Sequence, residues 1–279
     1  MQPTRPVLRW HGGKWLLAPW IITHFPAHDV YVEPFGGAGS VLMRKPRSYA
    51  EVWNDLDGDV VNLFRVLRSP DADRLVAHLR LTPFAREGFE EAYGVTDDPV
   101  EQARRLIIRS FHGFGSDGHN GARMTGFRAN SNRSGTTPAH DWVNYPDNLR
   151  AVIERLAGVV IENRPAMQVM AAHDRPETLH YIDPPYVHDT RSPARNSARK
   201  NYAHELSDAD HAELLAFILT LKGMVILSGY SHPLYEGALA AWSRHEKMAL
   251  ADGARARTEV LWINPLAAER SSVRQAALL

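Results

Sequence analysis

Asp183-Pro184-Pro185-Tyr186 carries the most restrictive chemistry in this 279-residue chain. Two successive prolines after the apolar run Thr178 to Ile182 cannot continue a sheet, because neither has an N–H to donate and both hold φ fixed. The turn therefore fixes a carboxylate, prolyl carbonyls and an aromatic ring relative to one another. Such a set suits an amino group conjugated to a heteroaromatic ring, whose delocalised lone pair makes it a poor nucleophile. Asp183 and a prolyl carbonyl can accept both N–H hydrogens and reorient that lone pair. Tyr186 can stack on the ring, a contact worth about 1–3 kcal/mol per base in nucleic-acid complexes.

A second constellation is Glu33-Pro34-Phe35-Gly36-Gly37-Ala38-Gly39-Ser40, between the short strand Val30 to Val32 and a helical run Val41 to Lys45 that Pro46 stops. At the carboxyl end of a strand in an open α/β sheet, glycines let a ligand approach the backbone. The spacing matches neither GxGxxG nor GxxxxGK[ST], so a nucleotide-dependent dehydrogenase or ATPase lacks its fingerprint. Asp55 ends the next strand, Ala50 to Trp53, where a carboxylate can accept hydrogen bonds from ribose hydroxyls. Turn and acid together suggest a nucleoside-containing cofactor. Either Asp55 or Asp57 can instead cap the helix Val60 to Leu67. Tyr230, after the strand Met224 to Ser228, is a further candidate for the wall of a base pocket.

These residues need strands to place them, and the chain supplies an alternation. Helical periodicity covers about 69–112, with Leu75, Leu79, Phe89, Leu106 and Ile107 facing inward, and a Gly-, Asn- and Arg-dense loop follows to His140. A helix at 148–156 leads back to strands at 159–162 and 178–182. Residues 187–204 read as a basic loop, and Ser207 with Asp210 as an approximate cap for a helix over 209–221. After the strand from Met224 come a helix near 234–241 and two strands near 245–250 and 259–264. This pattern predicts a mainly parallel α/β sheet with helices on both faces and an antiparallel edge hairpin, interrupted by an insertion at 69–145. Trp53, Trp242 and Trp262 sit in apolar patterns and read as core.

Hydrophobic residues make up 44% of the chain and charged residues 23%, which is ordinary globular composition. Lys plus Arg equals Asp plus Glu at 32 each, so no whole-chain basic signature is present. The balance conceals a split: residues 51–103 hold 12 acids against 5 bases, and 104–133 hold 6 Arg against the single acid Asp117. Arg outnumbers Lys 27 to 5, and Arg suits bidentate contact with phosphate or guanine. Zero Cys excludes disulfides and thiolate chemistry, and the 14 His show no regular ligand spacing, so no metal is expected. The absence of a signal-like start or a membrane-length apolar run makes a soluble, cytoplasmic, non-membrane protein the expectation.

In order and approximate spacing, Trp10-His11-Gly12-Gly13-Lys14, the glycine turn, Asp55 and Asp183-Pro184-Pro185-Tyr186 resemble the D12 class, or alpha group, of DNA adenine-N6 methyltransferases. The resemblance implies a Rossmann-like, S-adenosylmethionine-dependent methyltransferase sheet formed by 1–68 plus 146–279, with a mostly helical target-recognition domain inserted at 69–145. It also implies that Trp10, Lys14, Glu33, Phe35, Gly36, Gly37, Gly39, Asp55 and Asp183 contact S-adenosylmethionine, and that Asp183, Pro184, Pro185 and Tyr186 orient the amino group of a flipped adenine in double-stranded DNA. Arg109-Ser110-Phe111-His112-Gly113-Phe114-Gly115 is similar to a family segment but lacks its terminal Asn-Gly. Arg109, Arg123, Arg128, Asn130, Arg133, Arg195 and Lys200 are the candidate DNA contacts, with a solvated basic loop as the alternative. Methylation of cytosine N4 or of adenine in RNA uses the same turn chemistry, and a decayed relative that only binds DNA is a further rival. A cognate restriction enzyme as partner and the oligomeric state stay open.

Overall fold

Short runs rich in aliphatic and aromatic residues build the sheet, whose central strands are buried and whose outer strands are partly exposed. The computed structural model describes residues 2–115, 124–130, 135–187, 205–251 and 255–276. Its strands are β1 (Val30–Glu33), β2 (Ala50–Asn54), β3 (Val159–Glu162), β4 (Thr178–Ile182), β5 (Met224–Gly229), β6 (Ser243–Ala251) and β7 (Arg255–Ile263). They form one sheet in the order β3-β2-β1-β4-β5-β7-β6. The first five are parallel, and β7 runs antiparallel to both β5 and β6. The expected Rossmann-like α/β class, with its antiparallel edge hairpin, is what forms. Strand order reverses between β1 and β4, and ligands of open α/β sheets bind at the carboxyl ends of the strands at such a switch point.

The helices in chain order are α1 (Ala18–Thr23), α2 (Ser40–Arg44), α3 (Gly58–Leu67), α4 (Ala72–Leu81), α5 (Arg86–Glu91), α6 (Pro99–His112), α7 (Pro138–Val143), α8 (Tyr145–Arg155), α9 (Ala166–His173), α10 (Asp208–Ile218), α11 (Pro233–Ala238) and α12 (Pro265–Ala276). The Ser207–Asp210 pair is a full capping box for α10. Asp57 caps α3 by accepting from the Asp59 N–H, which resolves the choice between Asp55 and Asp57. None of α1, α7, α9 and α12 is apparent from periodicity, and the stretch read as loop to His140 ends earlier, at Pro138. Helix α9 has no side-chain cap and buries Ala166, Val169 and Met170, so packing rather than local signal sets it.

The chain forms two compact units, and their boundary differs from the expected 69–145 insertion. One takes in Met1–Trp15, Gly37–Arg44 and Asp57–Ala157; the other takes in Leu16–Gly36, Lys45–Leu56 and Gly158–Leu279. The helical unit is larger than expected because α6 packs on α3 as well as on α4, α5 and α7, and α8 packs on α3 and α4. Asp98 caps α6 through the Val100 N–H, with Pro99 in the first turn. Leu75, Leu79, Phe89, Leu106 and Ile107 are all buried here.

In the sheet unit, Ile182, Val225, Leu227, Val260 and Trp262 pack with Leu214, Leu215 and Ile218 of α10. Val32 and Val52 meet Val169 of α9. The alternate residue Tyr31 belongs to an aromatic group with Phe25 and, through Phe25, Tyr181. Trp53, Trp242 and Trp262 are buried as expected. Among the described residues no helix is long and apolar enough to cross a membrane.

Candidate active site

In the sheet unit, three acids stand at the carboxyl ends of the adjacent parallel strands β2, β1 and β4: Asp55, Glu33 and Asp183. Glu33 closes β1, is 3% exposed, and accepts the Tyr31 hydroxyl at 2.8 Å. Burial is the largest of the effects that push the Tyr31 phenol well above its ordinary pKa, with the Glu33 charge next, so it stays a donor.

The turn after β1 is held by a residue that the motif reading passes over. Asn54, fully buried at the end of β2, donates to the carbonyls of Pro34 at 2.8 Å and Arg164 at 3.0 Å, and accepts the Arg164 N–H at 2.9 Å. Its own carbonyl receives the Gly36 N–H at 2.8 Å. A Cβ on Gly36 would lie 2.0 Å from Trp53 Nε1, so only glycine fits against that indole. Asp55, next to Asn54, is half-buried, and its backbone carbonyl accepts from Asn163 at 2.8 Å. Phe35 packs against the core.

Directly after β4, Asp183 and Pro185 are half-buried and Pro184 and Tyr186 buried. The Tyr186 hydroxyl lies within hydrogen-bonding reach of Glu259 Oε1, the closer contact, and of Asp183 Oδ1 at 3.2 Å. Glu259 is a buried residue of β7, and its Oε1 also accepts from Ser228 Oγ of β5 at 2.8 Å. Burial, and then the charges of Asp183 and Glu259, push the Tyr186 phenol far up, keeping its proton on. Tyr230 meets the Tyr186 ring edge to face at 4.5 Å between centroids, and Arg257 lies over Tyr230 at 5.3 Å. Glu259, Ser228 and Asn54 escape sequence reasoning. For Glu259 the one available signal is a lone acid in the apolar strand Glu259 to Asn264.

In the helical unit, Trp10, Lys14, Gly37 and Gly39 occur together. Gly37 and Gly39 have φ of 46° and 62°, the left-handed region that glycine tolerates. A Cβ on Gly37 would lie 2.5 Å from Trp10 Nε1. Lys14 is 4% exposed and donates to the Gly12 carbonyl at 2.8 Å.

The arginine expectations divide. Arg109 is 5% exposed, pairs with Asp59 at 2.7 Å and donates to the Ala92 carbonyl at 2.9 Å. Its assignment to a DNA surface is therefore corrected: it ties α6 to α3 from inside. Arg104 and Arg105 both pair with Glu101, at 2.6 and 2.8 Å. The Arg104 hydrogen bond, more than any other effect, holds the Glu101 carboxyl at about 2. Arg128 donates to the Phe111 carbonyl at 3.1 Å, and Asn130 is exposed. Both sit on a strand-like segment whose Phe127 bridges Gly113 antiparallel. Arg123, Arg133, Arg195 and Lys200 lie outside the described residues. Among the described residues no group of three or more His, Asp or Glu could hold a metal ion.

Comparison with known proteins fits this geometry. The model of the D12 class N6 adenine-specific DNA methyltransferases matches residues 10–239. Proteins named DNA adenine methylase are similar in part: that of Serratia marcescens is 38% identical over 118 residues, 40% of this chain and 43% of the relative. The Salmonella typhi protein is 35% identical over 120 residues and the Escherichia coli K12 protein 28% over 122, in each case 41% of this chain and 43% of the relative. The match thus spans less than half the length of these relatives. Because the family model runs from Trp10 to Leu239 and takes in the glycine turn and Asp183 to Tyr186, the chain belongs to the D12 class of N6 adenine-specific DNA methyltransferases.

Proposed function

We propose that the protein transfers a methyl group from S-adenosylmethionine to the N6 amino group of adenine in double-stranded DNA. The observation that carries the reading is the Asp183-to-Tyr186 turn. A half-buried carboxylate follows a fully buried strand, two prolines lock the chain, and a protonated phenol sits beside it. Asp183 and the Pro184 carbonyl accept the two amino hydrogens, which turns the nitrogen lone pair out of conjugation, and Tyr186 supports the ring. An adenine within a duplex must be extruded to reach this turn.

The residues present fit the cofactor. A ligand with a cationic centre, an ammonium and ribose hydroxyls calls for acceptors, and three carboxylates stand at the ends of three adjacent strands. Glu33, Asp55 and Asp183, with the turn Phe35, Gly36, Gly37 and Gly39 and with Trp10 and Lys14, would hold it. When bound, S-adenosylmethionine supplies an electrophilic methyl on a sulfonium, so no strong base is needed. Residues 69–145 would supply target recognition, and Arg128 and Asn130, with Arg123, Arg133, Arg195 and Lys200, the contacts to DNA.

The test is to incubate the purified protein with labelled S-adenosylmethionine and unmethylated DNA or RNA, and to analyse product nucleosides. N6-methyladenine from DNA is expected. Only N4-methylcytosine, product only from RNA, or no incorporation overturns the reading. The same labelled DNA, once sequenced, gives the recognition site.

A further inference from the structure

We infer that Glu259 is a positioning residue for the methyl-transfer site: it takes the Tyr186 phenol proton and so removes a competitor for the Asp183 carboxylate. The inference rests on the proposed function and deepens it. A phenol has one proton to donate. Two carboxylate oxygens lie within its reach, Asp183 Oδ1 at 3.2 Å and Glu259 Oε1 closer. If the proton went to Asp183, the phenol would occupy the acceptor that the adenine amino group needs. Glu259 settles that competition, because hydrogen bonds to a carboxylate at short range are the stronger ones.

The placement is not incidental packing. Glu259 is 3% exposed in the middle of β7, followed by the buried apolar run Val260 to Ile263, and a buried acid persists only where partners compensate its desolvation. Its partners come from two other parts of the sheet: Tyr186 just beyond β4, and Ser228 on β5, paired with β7 next to it. The carboxylate therefore ties the turn after β4 to the edge hairpin, across 73 residues of chain. Moving the turn by a fraction of an ångström would misplace the amino nitrogen. The phenol itself is buried and held protonated, so it always has a proton to place.

Kinetics on Glu259→Gln, Tyr186→Phe and the double variant test this. A neutral amide is a weaker acceptor, so in Glu259→Gln the phenol turns back to Asp183, and kcat is expected to fall about 10- to 100-fold, the cost of misplacing a reacting group. The Kd for S-adenosylmethionine, measured by calorimetry without turnover, should stay within about twofold, since on this inference the defect lies in orientation rather than in uniform binding. Removing the hydroxyl as well, in Glu259→Gln/Tyr186→Phe, eliminates the competing donor and should restore part of the lost kcat. A kcat for Glu259→Gln within twofold of wild type overturns the inference. So does a double variant whose loss equals the product of the single losses, because independent sites multiply and coupled ones do not. Should Glu259→Gln fail to fold, Glu259→Leu with Ser228→Ala removes both buried polar partners together and is compared with and without Tyr186→Phe in the same way. A wild-type protein that methylates no adenine overturns the functional reading itself; an active wild type with an unaffected Glu259→Gln overturns the positioning role alone.

Discussion

The end of β4 and the end of α6 use buried polar groups in opposite ways. Beyond β4, the turn Asp183 to Tyr186 and Glu259 of β7 concentrate acceptors and a protonated phenol, and Ser228 of β5 completes the hydrogen-bonded group. At the end of α6, His112 is 1% exposed among Phe84, Trp142 and Phe127, and neither ring nitrogen has a hydrogen-bond partner. Burial above all, then Arg128 and Arg104, pushes its pKa down to about 3. One region links its polar groups in a hydrogen-bonded set; the other keeps a histidine neutral as an aromatic spacer. The contrast extends to charge. Arg104, Arg105 and Arg109, from a segment that looks like a basic surface, spend their charge on Glu101 and Asp59 inside the helical unit. Segregated along the sequence, these three arginines of the basic stretch meet two acids of the acidic one in space.

The largest effect is expected for Asp183→Ala. Removing the carboxylate should lower kcat for methyl transfer about 10³-fold, or ~4 kcal/mol in the barrier, with the thermal midpoint changed little; incorporation of labelled methyl into DNA reads it. Gly36→Ala comes next. Its Cβ would strike the buried Trp53 indole, and overpacking of that kind costs about 3 kcal/mol, visible as a lowered urea midpoint and weakened S-adenosylmethionine binding. Arg109→Ala should destabilise by about 2 kcal/mol, because it leaves the Ala92 carbonyl without its side-chain donor and Asp59 without its cation, with Gln102 still donating to Asp59. At a salt concentration where both proteins are folded, its DNA affinity should equal that of wild type; a loss would return Arg109 to the binding surface. Arg128→Ala serves as the contrasting variant, with affinity reduced at low salt and a shallower salt dependence.

The smallest effect is acid sensitivity. His112 has a folded pKa of about 3, below its ordinary value of 6.5, so the unfolded chain binds the extra proton as pH falls. Its contribution is intact above about pH 6.5 and is lost progressively down to about pH 3. Between pH 7 and 5.5 it amounts to ~1 kcal/mol. His112→Phe should flatten the pH dependence of the urea midpoint in that window. His180 in the sheet unit, pushed down to about 4 by burial with Asp174 opposing the shift, has the same sign and should leave a residual slope.

Much of the sheet was legible because its determinants are local. Strands of four to six residues rich in Val, Ile and Leu, separated by Gly-Gly and Pro-Pro turns, mark their own limits, and Ser207 with Asp210 marks a helix start. Helix α9 was not legible because its sequence is apolar on most sides and uncapped, so its state depends on the strand it covers. The inward role of Arg109 is hidden in the sequence for a related reason. An arginine in a Gly- and Arg-rich neighbourhood looks solvated, and only the fold reveals Asp59, 50 residues away, as its partner.

Residue identity settles which atoms are available: the carboxylate locked by two prolines, the glycines with no Cβ, and the absence of thiols. Those are covalent facts, and they survive any folding. Packing set which residues distant in the chain share a proton or a charge. Glu259 reaches Tyr186 only because β5 and β7 pair antiparallel beside β4, and Arg109 is spent inward on Asp59 only because α6 packs on α3. Hydrogen bonds and ion pairs act over a few ångströms, so residues far apart in the chain become partners only when the sheet and the helices have closed the distance between them.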